Sequence, residues 1–99
     1  MEQFDDEEAR NEAERRRVED ARKTTAEDIR WLMSSPRGRR IAWWLMDITG
    51  VFRTSLPNDV NMPVREGARN IGLAVQAALV DHAPDAYFNM YQERKKSNA

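Results

Sequence analysis

"MSSPRGRRIAWWLMDITG", residues 33–50, encodes a helix whose start, face and stop are all written in residue types. Proline disfavours α geometry in the residue before it, which makes Ser35 the N-cap and Pro36 the first helical residue. Ile41, Trp44, Leu45 and Ile48 recur at i, i+3, i+4 and i+7, and Gly50 supplies a left-handed stop. That stripe is the expected core face. Trp43 points about 100° away from its neighbour on a helix, so it either flanks a second helix or anchors a partner at the surface. Arg37, Arg39 and Arg40 sit in the first turns, where the helix dipole disfavours cations by about 0.3–1 kcal/mol at exposed sites.

Outward from this stretch the chain continues to read as helix. Residues 5–23, DDEEARNEAERRRVEDARK, hold no Gly or Pro and are dense in helix formers. Asp6 with Arg10, Glu12 with Arg16 and Glu19 with Lys23 place acid before base at i,i+4, each such pair contributing about 0.2–0.5 kcal/mol. The apolar track here is only Ala9, Ala13, Val18 and Ala21. Thr24 and Glu27 have capping-box spacing, which predicts a break and a new short helix from about residue 25, carrying Ile29, Leu32 and Met33. Residues 51–62 are a connection with Pro57 and Asn58-Asp59 as turn chemistry, and Phe52 and Leu56 are expected to tuck it onto the core. A helix from Pro63 to about His82 presents Val64, Ala68, Ile71, Val75, Ala78 and Leu79. Gly67 and Gly72 inside it imply close approach of a neighbour. Pro84 opens a last helix, 84–94, with Tyr87, Met90 and Tyr91 on one side and Phe88 beside them. The expected fold is all-α, a small helical bundle of about four helices with a long charged N-terminal helical arm. Residues 1–23 form the arm, 24–96 the helical domain and 97–99 a polar tail.

Composition narrows the function. The 99 residues contain no Cys and one His, which excludes a disulfide framework, a thiolate metal site and a His-rich one. The acidic start MEQFDDEE is not a signal peptide, and IAWWLM and IGLAVQAALV are too short to span a membrane, so a soluble protein of a reducing cytoplasm is expected. Residues 1–23 carry nine acids and six bases, net -3; the rest carries eight acids and ten bases, net +2. A pI near 5.8 lies far below the roughly 9 of a domain that lives on nucleic acid, so any DNA contact is local. His82 stands beside Asp81, but adjacent residues on a helix do not face each other and no activated nucleophile accompanies them. The carboxylates of the arm and of Glu27 and Asp28 lie on solvated turns. No catalytic residue, no metal site and no cofactor are expected.

The arginines carry the functional reading. Arg65 and Arg69 are one turn apart at the start of the second long helix, and if the two helix starts meet, Arg37, Arg39, Arg40, Arg65 and Arg69 form one patch suited to forked bonds with carboxylates or phosphates. Arg39 or Arg40 can also stack on Trp43, three or four positions on. Acidic groups of another chain, or of the arm of a neighbouring copy, are the expected occupants. Nonspecific contact with DNA backbone, helped by Arg94, Lys95 and Lys96, is the alternative, and a small phosphate ligand fits less well because Pro-Arg-Gly-Arg is not a phosphate-cradling loop.

The order of motifs across residues 28–80 resembles a family of small, largely uncharacterised proteins of short-tailed bacteriophages. The similarity rests on DIRWLMSSPRGRRIAWWLMDITGVFRTS (28–55) and VREGARNIGLAVQAAL (64–79), with Gly38-Arg39-Arg40, Gly50-Val51-Phe52 and Glu66-Gly67-x-Arg69-Asn70-x-Gly72-Leu73 as the motifs. The arm lies outside it. The resemblance implies a phage particle or its assembly, in the virion and, during assembly, the host cytoplasm, and brings no catalytic residues. Partners are then other virion proteins at the portal and head-to-tail region or inside the head, with homo-oligomers around a symmetric ring. A DNA-binding accessory protein made during infection is the alternative.

Overall fold

The computed structural model describes residues 2–53 and 60–98, with only the helical backbone described for 2–4 and 98. Leu56, Pro57, Asn58 and Asp59, read as part of the connection, lie outside the described residues. Four helices follow in order: α1 Glu2–Met33, α2 Pro36–Ile48, α3 Met62–His82 and α4 Pro84–Asn98. The all-α expectation is met.

The expected break at Thr24 is absent, and α1 runs through it as one helix of 32 residues. A break would strand backbone donors and acceptors at two new helix ends in return for a cap worth about 1 kcal/mol. With no Gly or Pro nearby, two threonines inside the helix cost less. The border between arm and body is therefore set by packing within one helix: residues 5–25 are exposed, and burial begins with Ala26, Ile29 and Met33. The arm gives the molecule extents of 67 × 38 × 15 Å and a radius of gyration of 19.0 Å, against about 13 Å for a compact chain of this length. Among its exposed ion pairs Glu12–Arg16 (3.7 Å) forms as expected. Arg10 instead donates to the Asp6 carbonyl at 3.3 Å, and Glu19 pairs with Arg22 at 3.7 Å.

Both ends of α2 form as read. Ser35 has extended geometry and its hydroxyl accepts from the Gly38 N–H at 3.1 Å. At the other end Gly50 has φ +86°, with Gly50 N–H donating to Asp47 O (3.1 Å) and Val51 N–H to Met46 O (3.0 Å), the paired bonds of a Schellman stop. Helix α3 gives way directly to α4 across Ala83 and Pro84, and α4 continues beyond the expected residue 94 to Asn98. Helices α2 and α3 each pack against the other three.

The core face of α2 differs from the expected one. Gly38, Ala42 and Met46 are buried, whereas of the expected stripe Ile41, Trp44 and Ile48 are 45%, 57% and 55% exposed and only Leu45 is half-buried. The reason is steric. Only two residues separate α1 from α2, and the helices approach so closely that a Cβ on Gly38 would run into the Leu32 carbonyl oxygen and lie 2.7 Å from its carbon. Small residues must face inward there, which turns the large apolar stripe outward. The core is instead built on Met33, Met46 and Met90, the largest fully buried side chains, with Ala42, Leu79 and Ala83. Methionine is flexible enough to fill the irregular space between crossing helices. Val64 and Ile71 of α3 are likewise exposed, contrary to the sequence reading, while Leu79 is buried and Val75 packs on the core.

The two α3 glycines separate in the same way. A Cβ on Gly72 would meet the Thr49 side chain and lie 2.6 Å from Val51 Cγ2, so this glycine admits the end of α2; Gly67 has open space. Gly38→Ala is therefore expected to lower stability by about 3–5 kcal/mol, because the clash is with backbone, while Gly67→Ala raises it by about 0.5–1 kcal/mol through helix propensity. Thermal unfolding followed by circular dichroism checks both.

Candidate interaction surface

Arg39 is the cation that the fold uses internally. Its Nε donates to Glu93 Oε1 at 2.8 Å, its Nη2 lies 2.6 Å from the same oxygen, and its Nη1 donates to the Met33 carbonyl at 2.8 Å. One guanidinium thus joins the C-terminal carbonyls of α1, the first turns of α2 and the last turns of α4. With its side chain only 13% exposed, Arg39 is held by the body and does not present itself to a partner. Arg37 and Arg40 on the same turns remain exposed.

The single five-arginine patch does not assemble. Arg65 and Arg69 line a groove of about 300 Å³ with Arg53 and Ala68 beside Ile48, at the C-terminal end of α2. Arg40 lines a separate groove of about 350 Å³ with Arg94, Lys96 and Glu93, at its N-terminal end. The two lie about 15 Å apart along α2, ten residues at 1.5 Å each. The first turns of α3 lie at the end of α2, where Ile48, Thr49 and Gly50 share the groove with Arg65 and Arg69 and Gly72 stands against Thr49 and Val51. The second groove brings Arg94 and Lys96, which the sequence offered only as helpers of DNA contact, together with Arg40. The continuation of α4 past residue 94 creates it.

Trp43 takes the flanking role. Its ring stacks on Phe52 (centroids 4.6 Å, 22° between planes) and meets Tyr91 edge-on at 5.0 Å. Phe52 thereby ties the connection to the body as expected. The cation over Trp43 is Arg94, with its guanidinium carbon 5.1 Å from the ring centroid, and not Arg39 or Arg40. Arg39 turns instead toward Glu93, where a short charged bond is stronger than a cation–π contact. Arg94 Nε and Arg69 Nε are buried without a hydrogen-bond partner.

Tyr91 closes this cluster. Its hydroxyl lies 3.0 Å from that of Tyr87, which accepts from Gln76 Nε2 at 2.8 Å. Burial, followed by the hydrogen bond and charge of Tyr87, pushes the Tyr91 phenol up to about 12, against a smaller opposing effect of Gln76. His82 Nε2 lies 3.8 Å from Asp81 Oδ2, so these adjacent side chains do approach each other, at the exposed end of α3. The described residues contain no group of three or more His, Cys, Asp or Glu placed to hold a metal ion. No described helix is long and apolar enough to cross a membrane.

Residues 29–92 match the family of Bbp19-like phage proteins. The chain belongs to that family. The matched segment runs from the last turn of α1 to the middle of α4, so the family feature is the packed body, and most of the arm precedes it. This supports the phage-protein part of the resemblance, which also left the arm outside. No curated protein and no solved structure matches the chain.

Two outcomes test the geometry of this Bbp19-like body. Arg39→Ala is expected to cost about 1–2 kcal/mol in chemical denaturation, since it removes charged hydrogen bonds to the part-exposed Glu93 carboxylate and to the Met33 carbonyl, with Arg39→Lys intermediate for want of the planar guanidinium. For Tyr91, a raised phenol pKa means the folded chain holds this proton more tightly than the unfolded one. The resulting stability is complete below about pH 10 and is lost as pH rises toward about 12. A ¹³C NMR titration of the Tyr91 ring should place its ionisation near 12, and Tyr91→Phe should remove this part of the alkaline destabilisation.

Proposed function

We propose that this Bbp19-like protein is a non-enzymatic component of the particle of a short-tailed phage, a helical interaction protein of the portal and head-to-tail region or one carried inside the head and ejected with DNA. The observation that carries this reading is the arm. Residues 5–25 are exposed along about 30 Å of continuous helix at 1.5 Å per residue. Its ion pairs are local and solvated, each worth a few tenths of a kcal/mol, so the arm gains packing only against another chain. Asp5, Asp6, Glu7 and Glu8 near its tip are complementary in charge to the Arg40–Arg94–Lys96 groove of a second copy or to cationic surfaces of a larger virion protein. Homo-oligomers around a symmetric axis fit this arrangement.

Among the described residues the grooves present mainly guanidinium and ammonium groups, the chemistry of charged contact with another chain. The Arg40–Arg94–Lys96 groove favours a second reading, a DNA-binding accessory made during infection, although Glu93 lies within it and the chain's net charge is -1. Mass spectrometry of purified, nuclease-treated particles, with copies quantified against the portal protein, separates the two. A fixed, small copy number is expected. Absence from particles, together with salt-dependent DNA affinity lost on changing Arg37, Arg40 and Lys96 to Ala, would overturn the virion reading.

A further inference from the structure

Ile41, Trp44 and Ile48 form an uncovered seam on the side of α2 away from the core. Their spacing of three and four residues is that of helices packed along their length. Positions seven apart on an α-helix lie within about 20° of each other around the axis. Arg40 and Asp47 therefore share one border of the seam, Ile41 and Ile48 share the other, and Trp44 lies between them. Along the axis the pattern is symmetric: Ile41 precedes Trp44 by as much as Asp47 follows it, and Arg40 by as much as Ile48.

We propose that this face of α2 is a homodimer interface, in which α2 of a second copy packs antiparallel about a twofold axis at Trp44. Such an axis reverses position along the helix and keeps each border on its own side. Ile41 then meets Ile48 of the second copy, Trp44 meets Trp44, and Arg40 meets Asp47, each contact occurring twice. A second copy is the occupant because one short helix supplies both halves of each apolar and charged match. Asp47 is available for it: its ion pair with Arg53 is long, 3.7 Å, and solvated, with Asp47 half-exposed and Arg53 exposed. The apolar surface continues next to Ile48, where Ala68 lines the shared groove and exposed Val64 and Ile71 stand four residues before and three after it on α3. Three side chains of one helix cover less than the roughly 800 Å² per partner of a standard interface, so the dimer is weak and forms at high local concentration. The inference rests on the homo-oligomer part of the proposed function and assigns it to α2, where Arg40 turns to Asp47 and leaves Arg94 and Lys96 of the groove for the acidic arm.

Sedimentation equilibrium of the full chain from about 10 µM to about 1 mM, a range that brackets a weak dimer, tests this. The expected result is a monomer–dimer equilibrium weakened about tenfold or more by Trp44→Ala, with helical circular dichroism unchanged. Arg40→Asp and Asp47→Arg each set like charges across the axis and should each weaken the dimer, while an equimolar mixture of the two variants should associate as a heterodimer more tightly than either alone. A monomer at every concentration, no gain on mixing the charge variants, or an equal loss from Phe88→Ala on exposed α4 would overturn the interface. Particle mass spectrometry is independent of these outcomes. A solution dimer absent from particles sinks the virion reading alone, and a monomer present in particles sinks the α2 interface alone.

Discussion

The body depends on the close contact between Gly38 and the Leu32 carbonyl. With only Ser34 and Ser35 between them, α1 and α2 meet almost immediately, and a side chain at position 38 would hold their backbones apart. The contact sets the rotation of α2 about its axis. Gly38, Ala42 and Met46 face inward, Arg39 reaches the Met33 carbonyl on one side and Glu93 of α4 on the other, and Trp43 lands among Phe52, Tyr91 and Arg94. Ile41, Trp44 and Ile48 are left outside by the same rotation.

A core centred on three methionines suits this arrangement. Closely crossing helices leave an irregular interior, and an unbranched thioether adapts to it better than a branched side chain. The second glycine contact, Gly72 against Thr49 and Val51, works at the opposite end of α2 and brings α3 in over the Schellman turn. Between them the two glycines fix where α1 and α3 lie, and α4 closes the remaining side through Met90 and the tyrosine pair. Cationic grooves then form at both ends of α2 because α3 begins at one end and α4 finishes at the other.

The arm obeys different physics. It is held by helix propensity and local charge pairs, without the burial that holds the body, and family similarity covers only the body. The family match covers the body, and the arm precedes it as the continuation of the buried end of α1.

What the residues alone determined is local: the all-α class, the Ser35 cap and Gly50 stop of α2, the Pro63 and Pro84 helix starts, the charge of the arm and the motif resemblance to phage proteins. Each depends on side chains reaching their own backbone or a neighbour one turn away. Periodicity also identified the apolar stripe of α2, but it measures only that one side is apolar, and Gly38 with Ala42 and Met46 offered a competing face that burial by volume alone would rank second. Tertiary packing decided between them, because a glycine at a two-residue connection permits an approach that Ile41 or Trp44 could not. It also decided that Arg39 serves the fold, that Arg94 covers Trp43 and that Arg65 and Arg69 stand away from Arg37 and Arg40. Those contacts join residues many positions apart, and their geometry follows from how the helices cross, which no single helix encodes.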